Sequence, residues 1–360
     1  MSDSYLVTGV MSGTSCDGLD IALCRFVPQG SSFSFHILGS RSVEYTGEWH
    51  EKLRNAHTLQ ALDLIQLDHE YGNFIGHCLN KFHKECKEKP TLIGSHGHTV
   101  FHQPLQGGFS LQIGHGANIA ALTGIDTVTD FRSLDVALGG QGAPLVPVGD
   151  RDLFHEFGAC LNLGGIANLT IRRKNSIEAF DICPVNMALN ELAAEQGRTF
   201  DRDGEGASAG NVQAELLNIL EKLEFYSITG PRSLGKEWYT SVFHPVLGSA
   251  DHSVSDKLAT VCEHIAMRIA ACLPADVNEN VLITGGGAHN NYLISRLRYH
   301  LELKGTGIHL PERAITDFKE AIIFAYLALL RCLGKVNTLA SVTGAQTDSS
   351  GGIIHKGASN

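Results

Sequence analysis

The sequence predicts an α/β protein of about two domains, on three observations. Its 360 residues are roughly twice the length of an ordinary domain. Stretches with apolar residues at three- and four-residue spacing alternate with short apolar runs of strand character. Small, glycine-rich polar turns recur where those runs end.

The opening "YLVTGVMSGTSCDGLDIALCRF" (5–26) predicts two strands joined by a polar knot of Ser12, Gly13, Thr14, Ser15, Asp17 and Gly18. That is more donors than a tight turn needs. "LQALDLIQLDHEYGNFIGHCLNKF" (59–82) predicts a long helix, and "TLIGSHGHTVFHQP" a strand and loop. "ALGGQGAPLVPVGD" (137–150) loses all periodicity and marks a domain boundary. "GACLNLGGIANLTIRR" (158–173) is again strand, polar turn and strand, the turn holding Asn162, Gly164, Gly165 and Asn168. "ATVCEHIAMRIAACL" (259–273) predicts a helix. "NVLITGGGAHNNYLISRLRYHL" predicts strand, glycine turn and helix, with Gly285, Gly286 and Gly287 in the turn. "FKEAIIFAYLALLRCLG" (318–334) predicts a last helix that stops at Gly334.

Bulk properties narrow the function. The chain is 43% hydrophobic and 18% charged, as a soluble globular protein with large cores is. A net charge of −10 disfavours a nucleic-acid or anionic-membrane partner. The start, "MSDSYLVTG", has no signal-peptide pattern, and "AIIFAYLALL" is too short to span a bilayer. Nine cysteines without regular spacing fit reduced thiols used as small core residues of a cytoplasmic protein.

Glycines let backbone N–H groups approach a ligand, and concave runs of N–H groups bind anions. Two polar hairpins and a glycine turn at a strand-to-helix junction therefore point together to a nucleotide, although each alone is compatible with a mere turn. "GPRSLGKE" (230–237) matches a Walker loop but has Glu237 where Ser or Thr would hold magnesium. The poor strand before it and the aromatic, β-branched "EWYTSVF" after it, a poor helix start, argue against that reading. A turn with a solvated Lys236 and a substrate- or domain-facing role both remain open. In "SHGHTVFH", His96 and His98 are expected on one strand face. With His102 they suit a polar ligand pocket better than a metal, because no carboxylate or cysteine completes a shell. Asp181, in "AFDICPVN", follows an apolar strand end and is a candidate general base or a helix N-cap. Arg132, in a loop with Asp130 and Asp135, holds an anion or pairs with its neighbours. Glu320 begins the last helix, as a ligand contact or as a carboxylate favoured by the helix dipole.

Taken together, "GVMSGTSCDGLDIA", "GSHGHTVFHQP", "DFRSLDVALGGQGAPLVP", "NLGGIANLT", "RSLGKEW", "ITGGGAHN" and "SVTGA" resemble the anhydro-N-acetylmuramic acid kinases nearly end to end. These belong to the superfamily of actin, hexokinase and the heat-shock ATPases. The resemblance implies two ribonuclease-H-like (actin-like ATPase) domains flanking a nucleotide cleft, 1–140 plus 318–360 and 141–317. It implies ATP and Mg2+, with metal ligands unassigned. Gly13, Thr14, Ser15, Cys16, Asp17, Gly18, Leu19 and Asp20 would form the first nucleotide segment. Asn162, Gly164, Gly165 and Gly285–Gly287 would complete the nucleotide site. His96, Thr99, Arg132 and Glu320 would face the sugar. Asp181 would be the catalytic base that activates water against C1, opening the 1,6-anhydro bond as O6 is phosphorylated. The product would be N-acetylmuramic acid 6-phosphate, in cell-wall recycling in the bacterial cytoplasm, and a homodimer is a further implication. Ile182 and Cys183 stand where the family usually has Thr-Gly, Asn190 at a usually acidic position, and His98 where glutamine is common. These changes are expected at or beside the sugar site. The rivals are a kinase for another anhydrosugar such as levoglucosan, a non-catalytic ATP-dependent switch, and a metallohydrolase resting on the histidines.

Overall fold

The computed structural model describes residues 3–13, 18–30, 32–105, 108–174, 176–228, 232–274, 277 and 280–358. The chain forms two units, Met1–Phe154 with Phe318–Asn360, and His155–Asp317.

The first unit is built on a sheet whose first three strands run antiparallel: β1 (Tyr5–Ser12), β2 (Gly18–Gln29) and β3 (Ser32–Glu44). On the other side of β1 lie β4 (Leu92–Ser95) and β7 (Asp126–Thr129), both parallel to it, and then the short Ile353–His355 strand. A separate hairpin pairs β5 (His98–Gln103) with β6 (Phe109–Ile113). Leu19, Ile21 and Leu23 alternate along β2 to meet the Ala61–Glu85 helix, whose Leu67, Tyr71, Ile75, Leu79 and Phe82 repeat at helical spacing. Across the other face lies the Arg313–Cys332 helix. It approaches so closely that a Cβ on Gly9 would come 1.7 Å from the Ala321 carbonyl oxygen, and one on Gly94 2.3 Å from that of Phe324. These two glycines are register partners on β1 and β4, so together they form the groove that seats the helix. The helix ends as expected: Gly334 has φ +65° and Lys335 N–H returns to the Leu330 carbonyl at 2.9 Å.

The second unit repeats the strand order. β8 (Ala159–Leu163), β9 (Ile166–Arg172) and β10 (Ile177–Pro184) are antiparallel, and β11 (Val281–Thr284) and β12 (Ile308–His309) add in parallel beside β8. The Val254–Cys272 helix, capped by the Ser253 hydroxyl accepting from Asp256 N–H at 3.1 Å, is buried nearly all round in this unit's core. Asn290 caps the Asn291–Glu302 helix in the same way, through Leu293 N–H at 2.9 Å.

Several expectations are corrected. β4 ends before His96, and Gly97 turns the chain at φ +73°, so His96 and His98 share no strand face. The last helix starts at Arg313, about two turns before Glu320, which removes the N-terminal dipole reading for that carboxylate. "EWYTSVF" is helical after all: Lys236–Trp238 runs into a π-helical turn, Tyr239–Phe243, and then His244–Ser249. Burial of Tyr239 and Phe243 in the core overrides their weak helix propensity. A turn of 3-10 helix, Glu224–Ser227, takes the place of the strand that a Walker loop needs upstream, while Gly230 and Pro231 of that stretch lie outside the described residues.

Candidate active site

Asp181 does not cap a helix. It lies within β10, opposite Asn168 on β9, which lies opposite Asn162 on β8, which lies opposite Thr284 on β11. Register partners point to one face of a sheet, so these four polar side chains form a row across four strands. The register then shifts between Asp181 and Pro184, an irregularity of the kind that re-aims side chains beside functional sites.

The Asp181 carboxylate is half-buried and accepts from three donors. The Asn168 amide gives to Oδ1, Leu234 N–H to Oδ2 at 2.8 Å, and the Ser233 hydroxyl to Oδ2 at 3.2 Å. Burial pushes the carboxyl above the ordinary aspartate range, while Leu234, Asn168 and Ser233 pull the other way. Sequence reasoning singled out Asp181 but not Ser233 and Leu234, more than fifty residues away. The only signal for them was "RSLGKEW" standing in its family place.

Gly164 and Gly165 make the two-residue tip of the β8–β9 hairpin. Nothing among the described residues of this unit requires glycine there. A Cβ on Gly164 would meet only Asn162 Nδ2 at 3.5 Å and Ile166 O at 3.6 Å, and one on Gly165 only Met187 Cε at 3.9 Å. Their carbonyls accept from the N–H groups of Val185, Asn186 and Met187 at the start of the Asn186–Ala194 helix. Gly285 and Gly287 are different. Gly285 has φ +87°, and Cβ atoms on the two would lie 2.4 Å from Asn162 Oδ1 and 2.8 Å from Leu163 Cβ. Asn186 donates to Leu163 O at 3.1 Å, and a Cβ on Gly286 would lie 3.3 Å from its Nδ2. The hairpin tip and the glycine turn are therefore side by side in one unit.

In the first unit, Thr14, Ser15, Cys16 and Asp17 lie outside the described residues. Ser12, at the end of β1, accepts from Tyr45 OH at 2.9 Å and faces His98 Nδ1 at 3.4 Å. Gly18 is explained by packing, since a Cβ would lie 2.8 Å from the Val43 carbonyl oxygen. Leu19 is core, and Asp20 pairs in register with Met11 and Ser42. His96 donates from Nδ1 to Gly97 O at 2.9 Å and accepts at Nε2 from Arg132 Nη2 at 2.8 Å. Burial and the neighbouring guanidinium hold its pKa well below the usual histidine range. Arg132 also donates to Gly142 O at 2.6 Å; burial lowers its pKa to about 10, with Glu320 opposing. Burial raises the Glu320 carboxyl, against Lys319 and Arg132 and with Asp20 and Asp150. His96, Arg132 and Glu320 are thus brought together. Thr99 instead accepts from the Gln112 amide across the β5–β6 hairpin at 3.3 Å. Asp135 organises the next loop, accepting from Gly142 N–H and the Thr343 hydroxyl, both at 2.7 Å, which joins "LDVALGGQGAP" to "SVTGA". Ile182 and Cys183 are fully buried in the second unit's core, and Asn190 is exposed on its helix.

Two sheets of one order, three antiparallel strands extended by two parallel ones and each opening on a hairpin, define the ribonuclease-H-like, actin-like class of nucleotide-binding proteins. The chain belongs to the anhydro-N-acetylmuramic acid kinase family, whose model matches residues 5–357. It is 34% identical over 364 residues to the anhydro-N-acetylmuramic acid kinase of Aliivibrio fischeri, covering 96% of this chain and 98% of that one. To the enzyme of that name from Saccharophagus degradans it is 36% identical over 369 residues, covering 97% and 98%. Among solved structures, a ROK family glucokinase from Streptomyces griseus in complex with glucose and AMPPNP aligns over 90% of this chain and 99% of that one, with 14% identity and a TM-score of 0.42. Family membership makes the chain an enzyme, a kinase and hence a transferase. No helix among the described residues is long and apolar enough to cross a membrane.

Proposed function

We propose that this kinase uses ATP to convert anhydro-N-acetylmuramic acid, with one water, into N-acetylmuramic acid 6-phosphate and ADP. One observation carries the reading: a carboxylate whose described partners are all donors, Asp181, stands on the strand next to a hairpin whose glycine tip meets only ordinary contacts among the described residues. Asp181 takes a proton from water as that water adds to C1. The C1–O6 bond breaks, and O6 receives the γ-phosphoryl group. Asp181 works as a base because burial holds its carboxyl above the ordinary aspartate range against the pull of its donors, which orient it. The backbone at Gly164 and Gly165 lets phosphate oxygens approach, and Gly285–Gly287 flanks the nucleoside. Phosphoryl transfer asks mostly for such positioning.

Among the described residues no group of three or more His, Cys, Asp or Glu forms a metal site. Asp20 would be a carboxylate available to magnesium, which needs only one or two beside phosphate oxygens and waters. When bound it neutralises phosphate charge. His96, Arg132 and Glu320 are assigned to the sugar, with His96 held neutral by burial and the Arg132 guanidinium. The setting is cell-wall recycling in the cytoplasm.

Turnover in heavy-oxygen water tests the reading. One solvent oxygen is expected at C1 of the product, and the oxygen bridging to phosphorus is expected to come from the sugar. The product must be read quickly, because a reducing sugar exchanges its C1 oxygen with water. A phosphorylated product that keeps its anhydro ring would overturn the coupled hydrolysis.

A further inference from the structure

We infer that Arg232 is a positioning residue that sets the orientation and proton affinity of Asp181 by anchoring residues 232–234 along the outer edge of β10. The inference rests on the base role proposed for Asp181. β10 is the edge of its sheet. An edge strand leaves backbone groups unpaired, and at Asp181 one residue takes both of them. Asp181 N–H donates to Arg232 O at 2.9 Å, and Arg232 Nε donates to Asp181 O at 3.2 Å. The chain then continues past the carboxylate, where Ser233 and Leu234 supply two of its three donors. Asn168 holds the opposite oxygen from within the sheet. The carboxylate is therefore gripped from both sides.

Arg232 is itself fixed by more than the strand edge. Its guanidinium lies 5.5 Å from the centre of the Phe180 ring and 5.3 Å from that of Phe225. Nη1 donates to Ile228 O at 2.6 Å, and Nη2 reaches the Cys272 sulfur at 3.0 Å. A planar fork that stacks on rings while donating in three directions is a task for arginine. A lysine ammonium has neither the plane nor the Nε donor. Ser233 is exposed, so its hydroxyl is not required by the core. Its bond to Asp181 Oδ2 is the simplest reason for its orientation.

The test titrates Asp181 without turnover. In the full chain with carbon-13-labelled aspartate, the Asp181 carboxyl signal is the one lost in Asp181→Asn. In Ser233→Ala, loss of one donor leaves burial less opposed, and the pKa is expected to rise by about half a unit to one unit. In Arg232→Lys the rise is expected to be larger. There kcat should fall about tenfold or more, with KM for the nucleotide unchanged. An Asp181 titration identical to the parent in both variants overturns the inference. If Arg232→Lys does not fold, Ser233→Ala decides alone. If the pKa rises but the acid limb of the kcat profile stays in place, the anchoring stands and the base role of Asp181 falls.

Discussion

In the first unit the charged and titratable groups near the strand ends are tied to one another, whereas in the second a single carboxylate is served by its surroundings. Arg132 gives its protons to His96 and to the Gly142 carbonyl, and His96 gives its own to Gly97. Asp181, on a sheet of the same strand order, receives from Asn168, Ser233 and Leu234. A cation spent on internal acceptors shapes a wall and orients an imidazole. A carboxylate held by donors is oriented for a ligand, and its raised proton affinity comes from burial against those donors. The glycines divide in the same way. Gly9 and Gly94 are demanded by a helix, while Gly164 and Gly165 are demanded by nothing in their own unit.

The largest expected effect comes from removing the served carboxylate. Asp181→Asn keeps the shape of the site but cannot accept a proton. Turnover should fall by about a thousandfold or more, with nucleotide affinity nearly unchanged. Coupled ADP release and calorimetric titration with a nucleotide analogue measure the two halves, and near-parental turnover would break the comparison.

The glycine contrast is sharpened by one pair of variants. Gly9→Ala drives a methyl into the Ala321 carbonyl and should cost about 3 kcal/mol of stability or prevent folding. Gly164→Ala meets only ordinary contacts, so its stability should change by less than about 1 kcal/mol. Nucleotide affinity should nonetheless fall, because the methyl occupies the approach to the hairpin tip. Denaturant midpoints and nucleotide titrations read both, and an equal loss of stability would erase the distinction.

The narrowest effect is a pH dependence of the first unit, confined to acid conditions. His83 is buried and bonded to Thr8 Oγ1 at 3.0 Å; burial, with Lys89, holds its pKa down to about 4. The unfolded chain takes up that proton near pH 6.5, so it binds more protons than the fold between pH 6.5 and 4. Stability from this group is present above pH 6.5 and is lost as pH falls toward 4, by up to about 3 kcal/mol. His83→Gln should flatten the stability profile in that window. An unchanged slope would show that other groups, not this buried imidazole, carry the acid sensitivity.

Local pattern made much of the molecule legible in advance. The alternation on β2, the repeat along Ala61–Glu85 and the stop at Gly334 each follow from the few residues around them. The β8–β9 hairpin and the "GGG" turn were readable because glycine and asparagine between apolar runs signal a turn. His96 and His98 were misplaced because one positive-φ glycine broke the strand period. Ile182 and Cys183, expected at or beside the sugar site because they follow Asp181, are both fully buried in the core.

Composition, periodicity and turn chemistry by themselves determined the α/β class, the main elements and the glycine turns, and made Asp181 a candidate, because each depends on spacing within a few residues. Tertiary structure alone decided what those elements do for one another. Gly9 and Gly94 became a helix seat only when a helix from the far end of the chain crossed them. Thr343 came to Asp135, and Arg232, Ser233 and Leu234 came to Asp181, across gaps that no local propensity spans. Hydrogen bonds and close packing are short-ranged in space and indifferent to separation along the chain. The partners that tune a carboxylate are therefore set by the fold, even when the carboxylate itself can be picked from the sequence.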